Sequence, residues 1–307
     1  MDGVVGVLLL AYGSPGSADK IPAYYTHIRG GRVPSEKEIS RLAERYERIG
    51  GSSPLLRITM EEAKGLESKL NESPENRFRV YVGMKHAEPF IEDTVAMMNK
   101  DGISRAVAIV LAPHYSKMSI GEYFRRVDEA DKAGGSKISF VFVDEWHLQK
   151  TFVDAVAQNV RSKMAEFGEG KGFVIFTAHS LPARLKREGD PYEKQLLESC
   201  AAVANLAKIG EWRLAYQSIP HGASDWLGPD VRTAIIEESD AGRKKILICP
   251  IGFVSDHLEI LYDIDIECTE LAQSRGVALK RTGSLNSSPL LIRSLSEIVR
   301  QEIGDQD

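Results

Sequence analysis

Eight short apolar runs punctuate the 307-residue chain, and helical patterns fill the intervals between them. Val4–Leu10, Phe78–Val82, Ala106–Leu111 and Ile138–Val143 form a first set, each brief and rich in β-branched or apolar residues. Runs of this kind mark parallel strands covered by helices on both faces, which leave no side for polar residues. The pattern then starts again with Phe173–Phe176, Arg213–Tyr216, Ile246–Cys249 and Val277–Lys280. Helix signals lie where the strands stop. Ser35 with Glu38, Thr59 with Glu62, and Ser119 with Glu122 have capping-box spacing, and Gly50-Gly51 supplies a stop. Pro89 suits a first helical turn, Asp190-Pro191 with Glu193 opens a helix in the second set, and Ser288-Pro289 opens the last one.

This alternation predicts an α/β protein of two similar four-stranded, parallel-sheet, Rossmann-like halves with helices on both faces. The polar, Gly-rich segment Gly168–Gly172 marks the expected junction, dividing 1–168 from 169–307. Equivalent strands end alike: Ala11-Tyr12-Gly13-Ser14-Pro15 beside Ala178-His179-Ser180-Leu181-Pro182, and Ala112-Pro113-His114 beside Cys249-Pro250-Ile251-Gly252. Open α/β sheets bind ligands outside the carboxyl ends of their strands. If the halves face each other across a central cleft, Tyr12 and His179 approach it from opposite walls, with Glu259 on the side of His179.

The segment Ile246–Glu267 carries the densest chemistry. A short apolar run is broken by Pro250 and Gly252, and an acid-rich helix follows in which Glu259, Asp263 and Glu267 stand at i, i+4 and i+8. On an α-helix they share a face with a slow drift, and in a wider π-turn they line up more closely. Imidazole and carboxylates at a strand end suit a borderline metal ion or proton transfer. Asp256 and Glu259 equally fit a capping box, which makes Glu259 a helix-start residue. Both interpretations stand on this segment alone.

Composition narrows the partners. A net charge of −5, with no dense basic stripe, argues against non-specific nucleic-acid binding. Cys200, Cys249 and Cys268 lack C-x-x-C spacing and read as reduced residues of a cytosolic protein, not a disulfide framework or an iron–sulfur site. The apolar run within Met1–Ala11 lacks a basic n-region and is far too short to span a bilayer. A soluble, cytoplasmic protein is expected. No P-loop, G-x-G-x-x-G or G-x-S-x-G pattern occurs, so nucleotide binding and a serine hydrolase find no support.

The remaining candidates each have a structural alternative. His179 serves as a core histidine or as a proton acceptor, and Tyr12 as packing or as a phenol facing a ligand. Tyr24–Arg32, Y-Y-T-H-I-R-G-G-R, is a solvated helix end or a wall that offers Arg29 and Arg32 to carboxylates and aromatic faces to a flat ligand. Arg45-Tyr46, Ser53 and Lys85-His86 are further donors.

Taken together, A-Y-G-S-P, Y-Y-T-H-I-R-G-G-R, I-G-G-S-S-P-L, G-M-K-H-A-E-P-F-I-E-D, L-A-P-H-Y-S, A-H-S-L-P, W-L-G-P-D and P-I-G-F-V-S-D-H-L-E-I-L-Y-D resemble the ferrochelatases, in order and over nearly the whole chain. Tyr12 and the general pattern look most like the branch acting on coproporphyrin III. The resemblance implies a chelatase-like fold, porphyrin and Fe²⁺ as substrates, no further cofactor, no iron–sulfur extension and a monomer. By position it carries over His179 and Glu259 as the inner metal site, Asp263 and Glu267 as an outer cation path, and Tyr12 as axial ligand. Arg29, Arg45, Tyr46, Ser53 and Tyr123 match porphyrin contacts. Gly30 departs from the pattern, since close relatives usually have arginine there. The alternatives are a protoporphyrin IX ferrochelatase, a cobalt chelatase of related fold, and a non-catalytic porphyrin or haem carrier.

Overall fold

A computed structural model describes residues 3–72, 77–168, 172–220 and 225–304. In chain order the elements are β1 (Val5–Ala11), α1 (Ile21–Ile28), α2 (Glu36–Arg48), α3 (Leu55–Leu70), β2 (Phe78–Met84), α4 (Ile91–Lys100), β3 (Arg105–Val110), α5 (Ile120–Ala133) and β4 (Ser139–Val143). There follow α6 (Lys150–Ala165), β5 (Phe173–His179), α7 (Arg184–Arg187), α8 (Tyr192–Ala207), β6 (Trp212–Gln217), α9 (Val231–Asp240) and β7 (Lys245–Cys249). A π-helix (Glu259–Cys268), α10 (Thr269–Ser274), β8 (Ala278–Arg281) and α11 (Pro289–Gly304) complete the chain. All eight apolar runs are strands. β5 runs further than its apolar pattern, so His179 is the last residue of the strand and not of the loop beyond it.

The first compact unit comprises residues 1–146, 255–257 and 286–307. Its parallel sheet has the order β2-β1-β3-β4, with Leu8 of β1 between Tyr81 and Ala108. All seven residues of β1 are buried, because helices cover both faces. The second unit comprises residues 147–254 and 258–285, and its sheet repeats the same order as β6-β5-β7-β8. Ile175, Ile246 and Ile248 lie in its core with Ile235 of α9 and Ile264 of the π-helix.

The units do not part at residue 168, and Glu169–Lys171 of the expected junction lie outside the described residues. Helix α6 belongs to the second unit. Its Asn159 amide donates to the Gly283 carbonyl (3.0 Å), and Arg161 to the Leu206 carbonyl (2.9 Å). Helix α11 returns to the first unit, where Ile292 packs on Gly65 of α3 and Arg300 donates to the Leu70 carbonyl (2.8 Å). A polar segment shows where the chain can turn, whereas membership of a unit depends on which apolar face covers which.

Three helix-start expectations need correction. Ser35 and Glu38 do form a capping box, but Thr59 and Glu62 lie inside α3, where Thr59 donates back to the Leu55 carbonyl (2.9 Å) and Glu62 is buried. Pro89 precedes α4 behind a cis peptide bond and is not in its first turn. Asp256 does not cap the π-helix: its backbone N–H and carboxylate both bind the Asn286 amide (2.8 and 3.0 Å).

Candidate active site

In the order β6-β5-β7-β8 the connections reverse direction between β5 and β7, the switch point at which such sheets take up ligands. His179 ends β5 there, and the loop after β7 leads into the π-helix. Gly252 lets that loop lie against β5: its N–H donates to the Thr177 carbonyl (3.1 Å), and a Cβ on it would stand 2.6 Å from the Ala178 Cβ. His179 Nδ1 then meets Glu259 Oε2 at 2.9 Å. The carboxylate accepts, so Nδ1 carries the proton and Nε2 is left as the basic nitrogen. Nε2 has no hydrogen-bond partner among the described residues, and the imidazole is 39% exposed.

Buried polar groups hold this pair in place. Gln217, the last residue of β6, donates from Nε2 to the Glu259 carbonyl (3.1 Å) and accepts from the Thr177 hydroxyl (2.8 Å). Tyr192 of α8 donates to the His179 carbonyl (3.0 Å). Ser180 donates from its hydroxyl to Leu227 (2.7 Å) and from its N–H to Gln217 (2.9 Å). Partial burial pushes the His179 pKa down, but the charge and hydrogen bond of Glu259, with the charge of Asp263 behind them, outweigh it and hold the imidazole above its ordinary value.

The acids at i, i+4 and i+8 do stand on a π-helix, but their partners differ. Asp263 accepts from Ser218 (3.4 Å) and its charge reaches His179. Glu267 acts instead on Arg232 and Cys268. Among the described residues no group of three or more His, Cys, Asp or Glu side chains is gathered tightly enough to enclose a metal.

In the first unit Tyr12 lies just beyond β1, 44% exposed, its ring 4.6 Å from that of His86. Burial first, then Lys85 and His27, drives the His86 pKa down to about 3, so its imidazole is neutral when it shares a hydrogen bond with His27 (2.9 Å). Tyr123 is buried, with Lys85 Nζ 5.0 Å above its ring. Arg29 pairs with Glu38 at 2.6 Å. Tyr46 is buried in the last turn of α2, with Arg45 beside it half-buried, and Ser53 Oγ accepts from the Leu55 N–H (3.2 Å) at the start of α3. Gly30 adopts φ +64°, where arginine is strained.

The ferrochelatase family model matches residues 4–303. The chain is 42% identical to the coproporphyrin III ferrochelatase of Anoxybacillus flavithermus, over 96% of this chain and 95% of the relative. It is 41% identical to that of Bacillus subtilis, over 98% of each. This chain belongs to the ferrochelatase family. A further relative, the ferrochelatase of Herpetosiphon aurantiacus, is 38% identical over 97% of this chain and 99% of its own. Among solved structures, SirB from Bacillus subtilis with Fe³⁺ aligns with 99% of this chain and 97% of its own at a TM-score of 0.59 and 11% identity, a likeness of fold.

For a ferrochelatase the paired His179 and Glu259 are the residues that the A-H-S-L-P and D-H-L-E motifs single out. Sequence reasoning passed over three groups that fix them: Gln217, Thr177 and Tyr192. Gly252, two residues beyond the proline that follows β7, carried a signal of close approach, but the sequence reading took it only as a break in the apolar run.

Proposed function

We propose that this enzyme inserts ferrous iron into coproporphyrin III, with release of two protons, to give Fe-coproporphyrin III (coproheme). The observation that carries the reading is the His179–Glu259 pair, an imidazole whose Nε2 has no partner among the described residues, at the switch point of a parallel sheet. Iron insertion requires two pyrrole N–H protons to leave. Nε2 of neutral His179 accepts one, the Glu259 carboxylate stabilises the imidazolium that results, and the same carboxylate takes up the second proton. Protonated His179 repels Fe²⁺, so proton uptake and iron contact at this nitrogen exclude each other at any moment. Imidazole and carboxylate suit iron, and two donors without a closed cage suit a cation that must be passed on. Asp263 and then Glu267 are the acids along which it would arrive. Tyr12 is the axial ligand of the product iron. Arg29, Arg45, Tyr46, Ser53 and Tyr123 contact the porphyrin, with Arg29 exchanging Glu38 for a propionate.

Coproporphyrin III is favoured as substrate by the relatives of that name at 41–42% identity. Protoporphyrin IX is the second reading, since the relative from Herpetosiphon aurantiacus is named only as a ferrochelatase. The reading extends to a cytoplasmic monomer that needs no cofactor beyond the iron it inserts. The test is anaerobic Fe²⁺ with coproporphyrin III, protoporphyrin IX and a sirohydrochlorin-type substrate, followed by absorbance. Insertion with coproporphyrin III, lost in His179→Ala while porphyrin still binds, is the expected result. Turnover near the parent level in His179→Ala overturns the assignment, and no turnover with any substrate marks a carrier.

A further inference from the structure

Glu62 of α3 is wholly buried and takes no part in the chemistry above. Its Oε1 lies 2.6 Å from Ser255 Oγ, while Oε2, equally buried, has no hydrogen-bond partner among the described residues. Ser255 begins the turn 255–257, which packs as part of the first unit and is followed at once by Leu258 and the π-helix. The same turn is tied at Asp256 to Asn286, and Glu61 accepts from Ser287 (3.1 Å). Adjacent carboxyls of α3 thus hold the two crossing segments 255–257 and 286–287.

A buried carboxylate without a cation is costly, whereas a neutral carboxyl is tolerated and can donate or accept at a serine. Among the described residues no basic group pairs with Glu62. From α11, Arg293 is bound to Glu297 and Arg300 to the Leu70 carbonyl, and on α3 itself Glu61 adds a like charge. Burial, countered by the Ser255 hydrogen bond and reinforced by Glu61, pushes Glu62 up to about 7.

We infer that Glu62 is a positioning residue for iron insertion: as a neutral carboxyl it fixes Ser255 and hence the turn from which the π-helix bearing Glu259 departs, and its ionisation slackens that turn. This rests on the role proposed for Glu259. Unlike a general base, which must lose its proton to act, this group acts while protonated.

Urea unfolding and KM for Fe²⁺, measured between pH 6 and 8.5 on the parent, Glu62→Gln, Ser255→Ala and Glu259→Gln, test it. In the parent, stability falls from pH 6 to about 7, where the folded state alone still holds the proton, and the Glu62 contribution levels off above it. KM for Fe²⁺ rises about fivefold to tenfold through pH 7 as the ionised fraction grows. Glu62→Gln, neutral throughout, removes the Glu62 part of both profiles and leaves only the part that belongs to His179. Ser255→Ala raises KM for Fe²⁺ at every pH, and KM for porphyrin is unchanged in both variants. Parallel profiles for parent and Glu62→Gln overturn the inference. If Glu259→Gln loses iron insertion while Glu62→Gln and Ser255→Ala behave as the parent, the role of Glu62 fails and that of Glu259 stands. If Glu259→Gln inserts iron normally, the proposed role of Glu259 fails and takes the catalytic part of this inference with it.

Discussion

At the scale of single residues, His179 is set by two opposed influences, burial and the Glu259 carboxylate. The carboxylate prevails, so the histidine is held above 6.5. Its contribution to stability is therefore full below pH 6.5 and is lost as pH rises through the folded value. The activity has the opposite sign, because the base must be neutral: iron insertion should rise with pH through that value. Glu259→Gln removes the main influence that raises it and leaves burial opposed only by the charge of Asp263. The His179 titration, followed by NMR of the ring protons, should then fall below its position in the parent. A histidine that titrates unchanged in the variant would show that the pair does not govern it. Tyr12 answers to a different probe. Tyr12→Met should leave insertion intact and shift the absorption spectrum of the bound product, since a thioether replaces an oxygen ligand; an unchanged spectrum counts against axial ligation.

At the scale of elements, the π-helix and the loop that feeds it decide what the acids can do. The spacing of Glu259, Asp263 and Glu267 was readable in the sequence, and so was the possibility of a wide helix. Their partners were not. Glu259 meets His179 across 80 residues of chain, Asp263 meets Ser218, and Glu267 acts on Arg232, because each faces a different strand end or helix of the second unit. Asp263→Asn should accordingly slow iron insertion more than Glu267→Gln, since only Asp263 has a charge that reaches His179. Equal effects in a steady-state assay at subsaturating Fe²⁺ would remove that distinction. Gly252→Ala places a methyl against Ala178, and overpacking of this kind costs about 1–3 kcal/mol. It should lower both the urea midpoint and the rate of iron insertion, because the displaced loop leads into the Glu259 helix. Capping boxes were a weaker guide. Ser35–Glu38 forms one, whereas Thr59–Glu62 has the same spacing but lies within a helix, where tertiary burial puts Glu62 to another use.

At the scale of the whole molecule, a repeated strand order underlies everything else, and helix α11 shows how far the repeat departs from a simple division of the chain. Leu291, Leu295 and Val299 are fully buried, and the helix lies on α3 at Gly65. Leu295→Ala should destabilise the protein by about 2–5 kcal/mol in urea unfolding, the usual range for a buried leucine. A loss below 0.5 kcal/mol would mean that α11 is not part of the core. By itself the sequence determined the eight strands, the parallel α/β class, the two similar sheets and the identity of His179, Glu259 and Tyr12 as candidates, because apolar periodicity and strand-end motifs are local. Only the tertiary structure decided that α6 and α11 exchange sides of the expected boundary, that Asp256 binds Asn286 and leaves Glu259 to His179, and that Glu62 is buried against Ser255. Those outcomes depend on contacts between residues far apart in the chain, where packing and desolvation select one partner from several that the spacing alone allows.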